Sequence, residues 1–257
     1  CLSAATGEGI FELKERLGQL APREDGRKLI ADLVSPDGLV VLVTPIDESA
    51  PKGRMILPQV QAIRDVLDGD AACIVVKETQ LEALLASLGR KPDMVVTDSQ
   101  AFGLVSKIVP EDIPLTSFSI LMARYKGFLE TAVRGAAALK TLRDGDKVLI
   151  SEGCTHHRQC GDIGAVKLPR WLKQYSGADI AVELSAGTGF PEDLSGFSLV
   201  LHCGGCMLSE REMLYRMKCA QDQNVPFTNY GVAIACMKGI LPRSLRLFPA
   251  LRKLVEE

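Results

Sequence analysis

The sequence predicts an α/β protein of two domains, each a mainly parallel sheet flanked by helices. Three observations carry that expectation. Short β-branched runs alternate with segments of helical apolar spacing from residue 28 onward, the pattern of strand–helix units that build parallel sheets. A length of 257 residues leaves room for about two domains. Apolar residues make up 47% and charged residues 24% of the chain, enough to bury a core while keeping a polar surface.

Residues 8–20 place Ile10, Leu13, Leu17 and Leu20 at helical spacing, with Pro22 as a stop and a linker over 22–26. Residues 29–34 and 39–44 read as strands joined across Ser35-Pro36-Asp37-Gly38, a turn sequence. A helix over 57–68, a strand over 71–76, a helix over 78–88 and a strand over 93–97 follow, with another helix from 99. The segment 108–114, with two prolines and two acids, marks a boundary. Residues 117–142 are mainly helical with a break at Gly127 or Gly135. A strand over 147–150 runs toward Cys154, then a helix covers 166–175 and strands cover 179–184 and 197–201, the last running into His202. Ser209-Glu210-Arg211-Glu212 fits a capping box that opens a helix over 209–222. Helices near 231–238 and 243–256 close the chain, and no internal repeat or low-complexity segment is expected. Cys1 and the residues up to Ile10 read as the end of a larger unit, so the sequence is expected to be a fragment.

A net charge of −2 and a pI near 6.0 give no basic excess for nucleic acid. The longest apolar runs are too short to span a bilayer, and neither a signal peptide nor a lipidation motif is visible. Eight cysteines in this length fall short of a disulfide scaffold, which leaves the cytosol as the default location.

The chemistry concentrates in Cys154-Thr155-His156, Cys160 and His202-Cys203-Gly204-Gly205-Cys206. Soft thiolates drawn from two distant strand ends suit zinc or iron–sulfur centres, and the ends of parallel strands are where open α/β sheets bind ligands. Cys154, Cys203 and Cys206 are the candidate ligands. Cys160 and Asp162 are weaker ones, and His157 is expected to face solvent. Cys73 and Cys236 sit in apolar runs and Cys219 inside a helix, so all three read as structural thiols. A Rieske centre requires histidine where Cys206 stands. A zinc site of three cysteines and one histidine fits by ligand type, although zinc motifs usually combine two close pairs. A cubane with three cysteine ligands and one replaceable position fits at least as well, and a Cys203–Cys206 thiol–disulfide couple is a third reading.

At these residues the chain resembles the HydF family, the maturation GTPases of FeFe-hydrogenase. The resemblance rests on 151–157, Asp162-Ile163-Gly164, His202-Cys203-Gly204-Gly205-Cys206-Met207, Pro45-Ile46-Asp47 with 50–54, and Asn229-Tyr230-Gly231-Val232. It implies that 1–22 is the tail of a GTPase domain, 23–115 a dimerisation domain and 116–257 an iron–sulfur cluster domain. It also implies a 4Fe–4S cluster on Cys154, Cys203 and Cys206, and a cytoplasmic homodimer working with FeFe-hydrogenase and other maturation proteins. The implied role is that of a scaffold that carries a binuclear iron precursor to the hydrogenase. The family's GTP site has no counterpart here, because the sequence lacks a G-x-x-x-x-G-K-[ST] loop. GTP hydrolysis would therefore belong to the parent protein. The alternative reading is a structural zinc-binding domain of an interaction protein.

Three thiolates would hold a cubane firmly, while a neutral or hard fourth ligand would exchange. His202 and His156 are the favoured fourth ligands, with Asp162 next; Cys160 would close the site more tightly. Arg158, Lys167 and Arg170 are candidates to attract an anionic precursor. The charged loop of Asp47, Glu48, Lys52 and Arg54 reads as a solvated turn.

Overall fold

The computed structural model describes residues 2–20, 26–46, 55–154 and 162–256. Helix α1 (Ile10–Leu20) precedes an α/β unit of β1 (Leu39–Val43), α2 (Leu57–Asp68), β2 (Ala72–Val76), α3 (Leu81–Ser87), β3 (Met94–Thr97), α4 (Phe102–Ile108), β4 (Leu115–Ser117) and α5 (Phe118–Tyr125). After α6 (Leu129–Gly135) a second unit runs through β5 (Lys147–Glu152), α7 (Leu168–Ser176), β6 (Ala181–Ala186), β7 (Leu199–His202), α8 (Glu210–Asp222), β8 (Phe227–Asn229) and α9 (Tyr230–Met237). Short helices α10 (Leu241–Ser244) and α11 (Pro249–Glu256) finish it. Both sheets are four-stranded and wholly parallel. The predicted fold class is therefore the observed one.

Side chains of the first sheet alternate between two cores, as the two-residue period of a strand requires. Val40, Leu42, Met94 and Val96 pack with Ala62 and Val66 of α2 and Phe118, Leu121 and Met122 of α5. Val41, Val43, Val95 and Leu115 join Leu81, Phe102 and Val105 in a core continuous with that of the second sheet.

Three sequence expectations change. Residues 29–34 form turns, not a strand: Leu29 and Ile30 are buried, but the Ile30 and Ala31 amides donate to the Asp65 carboxylate, both at 2.7 Å, rather than to a neighbouring strand. Two short strands, β4 and β8, were hidden at the edges of helical patterns. β4 also straddles the boundary expected at 115/116.

The third change is that the chain does contain an internal repeat. The sheet orders are β2-β1-β3-β4 and β6-β5-β7-β8, the same topology twice. Registers match as well: Leu39 faces Ala72 as Lys147 faces Ala181, Val40 faces Met94 as Val148 faces Leu199, and Val95 faces Leu115 as Val200 faces Phe227. Connecting hydrogen bonds repeat too. Asp93 N donates to Leu39 O at 2.8 Å as Ser198 N does to Lys147 O at 2.8 Å, and Val95 N to Pro114 O as Val200 N to Pro226 O. Ser117 and Asn229 cap α5 and α9 through equivalent bonds to Ile120 N and Val232 N. Both helices end on Lys-Gly, with Gly127 at φ 77° and Gly239 at φ 71°. The repeat was missed because its matched sequence is short: residues 114–127 and 226–239 share the prolines, Thr116/Thr228, Ala123/Ala235 and the Lys-Gly pair, while the connecting segments diverge.

Candidate metal centre

In the strand order of the second sheet, β5 and β7 lie side by side and their connections leave in opposite directions. This is the switch point at which open α/β sheets form a crevice. Cys154 follows β5, and Cys203 and Cys206 follow β7, so the fold itself delivers both halves of the motif to one crevice. The Cys203 amide donates to Ser151 O at 2.8 Å, extending the β5–β7 pairing up to the first thiol.

Two glycines permit the close approach. A side chain at Gly153 would come within 2.6 Å of Leu208 Cγ, so only glycine lets the β5 end lie against the C-G-G-C loop. Gly205 has φ +65° and would place a Cβ 2.4 Å from Met213 Sδ, so the loop needs both a left-handed turn and an absent side chain there.

The half-buried Cys203 thiol accepts from the Gly153 amide at 3.2 Å and the Gly205 amide at 3.3 Å. Burial pushes it up to about 12; the two amides pull the other way, and the neighbouring Cys154 and Cys206 thiols add to the rise. That mutual influence places all three thiols within electrostatic reach. Burial also raises Cys206, opposed by the Lys126 ammonium. Cys203 and Cys206 are thiols, not a disulfide. Among the described residues, no group of three His, Cys, Asp or Glu side chains closes around a single ion.

His202 takes another role than the one its sequence position suggests. Its ring is fully buried and stacked 5.9 Å from Phe227. Nε2 lies 3.2 Å from Arg216 Nη1 and Nδ1 lies 2.9 Å from Cys203 O. A guanidinium only donates, so Nε2 accepts and the proton sits on Nδ1, donated to the Cys203 carbonyl. Burial holds the ring's pKa down to about 4, which keeps it neutral. With both nitrogens engaged, His202 steadies the cysteine loop and has no lone pair left for a metal.

Asp162 is 4% exposed and its Oδ1 accepts from Ala165 N at 2.7 Å, capping the π-helical turn Ile163–Lys167 that leads into α7. His156, His157, Arg158 and Cys160 lie outside the described residues, as do Asp47, Glu48, Lys52 and Arg54. Lys167 Nζ donates to Gln100 Oε1 at 3.0 Å, a contact with the first repeat rather than with the thiols. Cys73, Cys219 and Cys236 are half-buried; Cys236 lies 3.8 Å from the Tyr175 hydroxyl.

Sequence reasoning missed two cations. Arg216, on α8, is 1% exposed and donates to Glu212 at 2.8 Å and Gly187 O at 2.6 Å besides His202. It also packs 5.1 Å over the Phe190 ring. Lys126, from the first repeat, donates to Gly205 O at 2.6 Å and to Leu208 O. Lys126 lies far from the motif in sequence and Arg216 ten residues beyond Cys206, and the fold brings both to the cysteine loop.

The donor set fits an iron–sulfur cluster. Two backbone amides point at the Cys203 sulfur, with Cys154 and Cys206 near enough to act on it electrostatically, and such hydrogen bonds stabilise anionic thiolate.

Two family models match the chain: the hydrogen maturase F dimerization domain over residues 29–127 and the hydrogen maturase F tetramerization domain over residues 130–247. No curated protein matches. Among solved structures, an ABC-transporter solute-binding protein from Burkholderia multivorans is 13% identical over 86% of this chain and 93% of its own, with a TM-score of 0.23. That score is too low to bear on fold or function.

Proposed function

The chain belongs to the hydrogen maturase F family, and from that premise we propose that it is a scaffold holding a 4Fe–4S cluster on Cys154, Cys203 and Cys206. The family places it in hydrogenase maturation, and its two matched domains are association domains. The observation that supports the cluster is the meeting of the three cysteines at one switch point, with Gly153 and Gly205 amides on the Cys203 sulfur. A zinc ion draws its ligands to about 2.3 Å. A cluster is held through different iron atoms, so its thiolates need not close around one ion, as no three candidate ligands among the described residues do.

When bound, the cluster would supply an iron whose fourth ligand can exchange. The chain's own residues do the rest. Cys154, Cys203 and Cys206 anchor the group, His202 and Arg216 fix the loop, and Phe227 and Phe190 exclude water behind it. His156 and Cys160 remain candidates for the fourth position, with Asp162 a third whose helix-capping bond would have to be given up. The cargo we assign is a binuclear iron precursor, handed to FeFe-hydrogenase, in a cytosolic setting. No helix among the described residues is long and apolar enough to cross a membrane.

An exchangeable position has a direct test. Imidazole added to the anaerobically reconstituted and reduced protein should shift its electron paramagnetic resonance spectrum. An unchanged spectrum at saturating imidazole would show the fourth position to be closed and would defeat the carrier role.

A further inference from the structure

We propose that Lys126, contributed by the first repeat, is a positioning residue for the three-cysteine site of the second, its fixed charge raising the cluster's reduction potential; this rests on the cluster reading above.

Lys126 is only 6% exposed, and its ammonium hydrogen-bonds to two carbonyls of the cysteine loop, Gly205 O and Leu208 O. Among the described residues it makes no ion pair with a carboxylate. A buried ammonium costs free energy unless negative charge lies close. Burial lowers its pKa, and the groups that oppose that are the Cys206 sulfur first, then Cys203, then Glu210. Glu210 is itself bound to Arg27, through two bonds of 2.8 Å. Ionised thiolates and the cluster they carry are thus the natural counter-charge for Lys126. Adding an electron to that centre increases its negative charge, so a cation beside it favours the reduced form.

The repeat supplies an internal comparison. Lys238 occupies the corresponding turn, before a left-handed glycine as Lys126 does. There the side chain is exposed and lies 5.4 Å over the Trp171 ring. The turn therefore does not require a buried lysine. What distinguishes Lys126 is the cysteine loop above it, and Cys206 packs against the first repeat's core beside Phe118, Leu121 and Met122. The domain that carries the association surface thereby also shapes the metal site.

The test is a potentiometric titration, followed by electron paramagnetic resonance, of reconstituted wild type, Lys126→Gln, Lys126→Arg and Lys238→Gln at equal iron content. Glutamine removes the charge and keeps an N–H donor, on a stem one bond shorter. Lys126→Gln should disfavour reduction at least tenfold, a shift of about 59 mV to lower potential for a one-electron couple. Lys126→Arg and Lys238→Gln should stay near wild type. If Lys126→Gln does not fold, Lys126→Met, which keeps the stem without a polar head to satisfy, takes its place with the same expected shift. An unchanged potential in the charge-free variant would overturn the proposal while leaving the cluster intact. Failure of wild type to take up iron would instead defeat the cluster reading on which it rests.

Discussion

Replacing Arg216 by methionine should destabilise the protein by about 2–4 kcal/mol, the cost of leaving the hydrogen-bond acceptors it serves without a donor. Arg216 holds four groups together: Glu212, the Gly187 carbonyl, the His202 ring and the face of Phe190. Methionine fills much of the stem volume but strands His202 Nε2 and Gly187 O without donors in a buried site. Against a total stability of about 5–15 kcal/mol, the loss should be plain in a urea midpoint at unchanged slope. The double variant Arg216→Met/His202→Phe should recover part of it, because phenylalanine leaves no ring nitrogen unsatisfied among Phe190 and Phe227. A strictly additive double variant would show that the two residues do not act as a unit. The same network predicts acid sensitivity. His202 titrates at about 4 in the folded chain against an ordinary 6.5. Its depressed value contributes stability above pH 6.5 that is lost as pH falls through about 4.

Serine at Cys154, Cys203 or Cys206 should each lower bound iron at least about tenfold, because a hydroxyl stays protonated and is a far weaker ligand for iron than a thiolate. The three variants should differ in a second respect. Cys203 accepts two backbone amides at the end of the β5–β7 pairing, so its loss should also loosen that junction and lower the melting temperature. Cys206 sits at the repeat interface and should lose iron with a smaller change in stability. Cys236→Ser serves as the control, since its sulfur touches Tyr175 on the α7–α9 side. It should load like wild type. Full iron in all three site variants would remove the basis for the ligand assignment.

Much of this was legible in the sequence because its signals are local. Apolar strands separated by helical periods gave the parallel sheets, and a strand running into His202-Cys203-Gly204-Gly205-Cys206 placed thiols at a strand end. What escaped depends on long-range contacts. The stretch 29–34 has β-branched and apolar residues yet folds as turns, because Asp65 on α2 takes its amides. β4 and β8 are three residues each, too short for a period to show. His202 looked like a ligand because it adjoins a candidate one, Cys203. That it is a strut follows only from Arg216, fourteen positions on and one helix away. Lys126 lies in the other repeat, and its relation to the thiols follows from the packing of α5 against α9 and the cysteine loop.

The most direct measurement is the metal and sulfide content of the protein isolated without oxygen, read together with its electron paramagnetic resonance spectrum after reduction. The three-cysteine site predicts iron and acid-labile sulfide in equal amounts, a brown colour and a paramagnetic signal that appears on reduction. A colourless protein carrying one zinc ion and no labile sulfide would contradict it and leave the structural-zinc reading in its place.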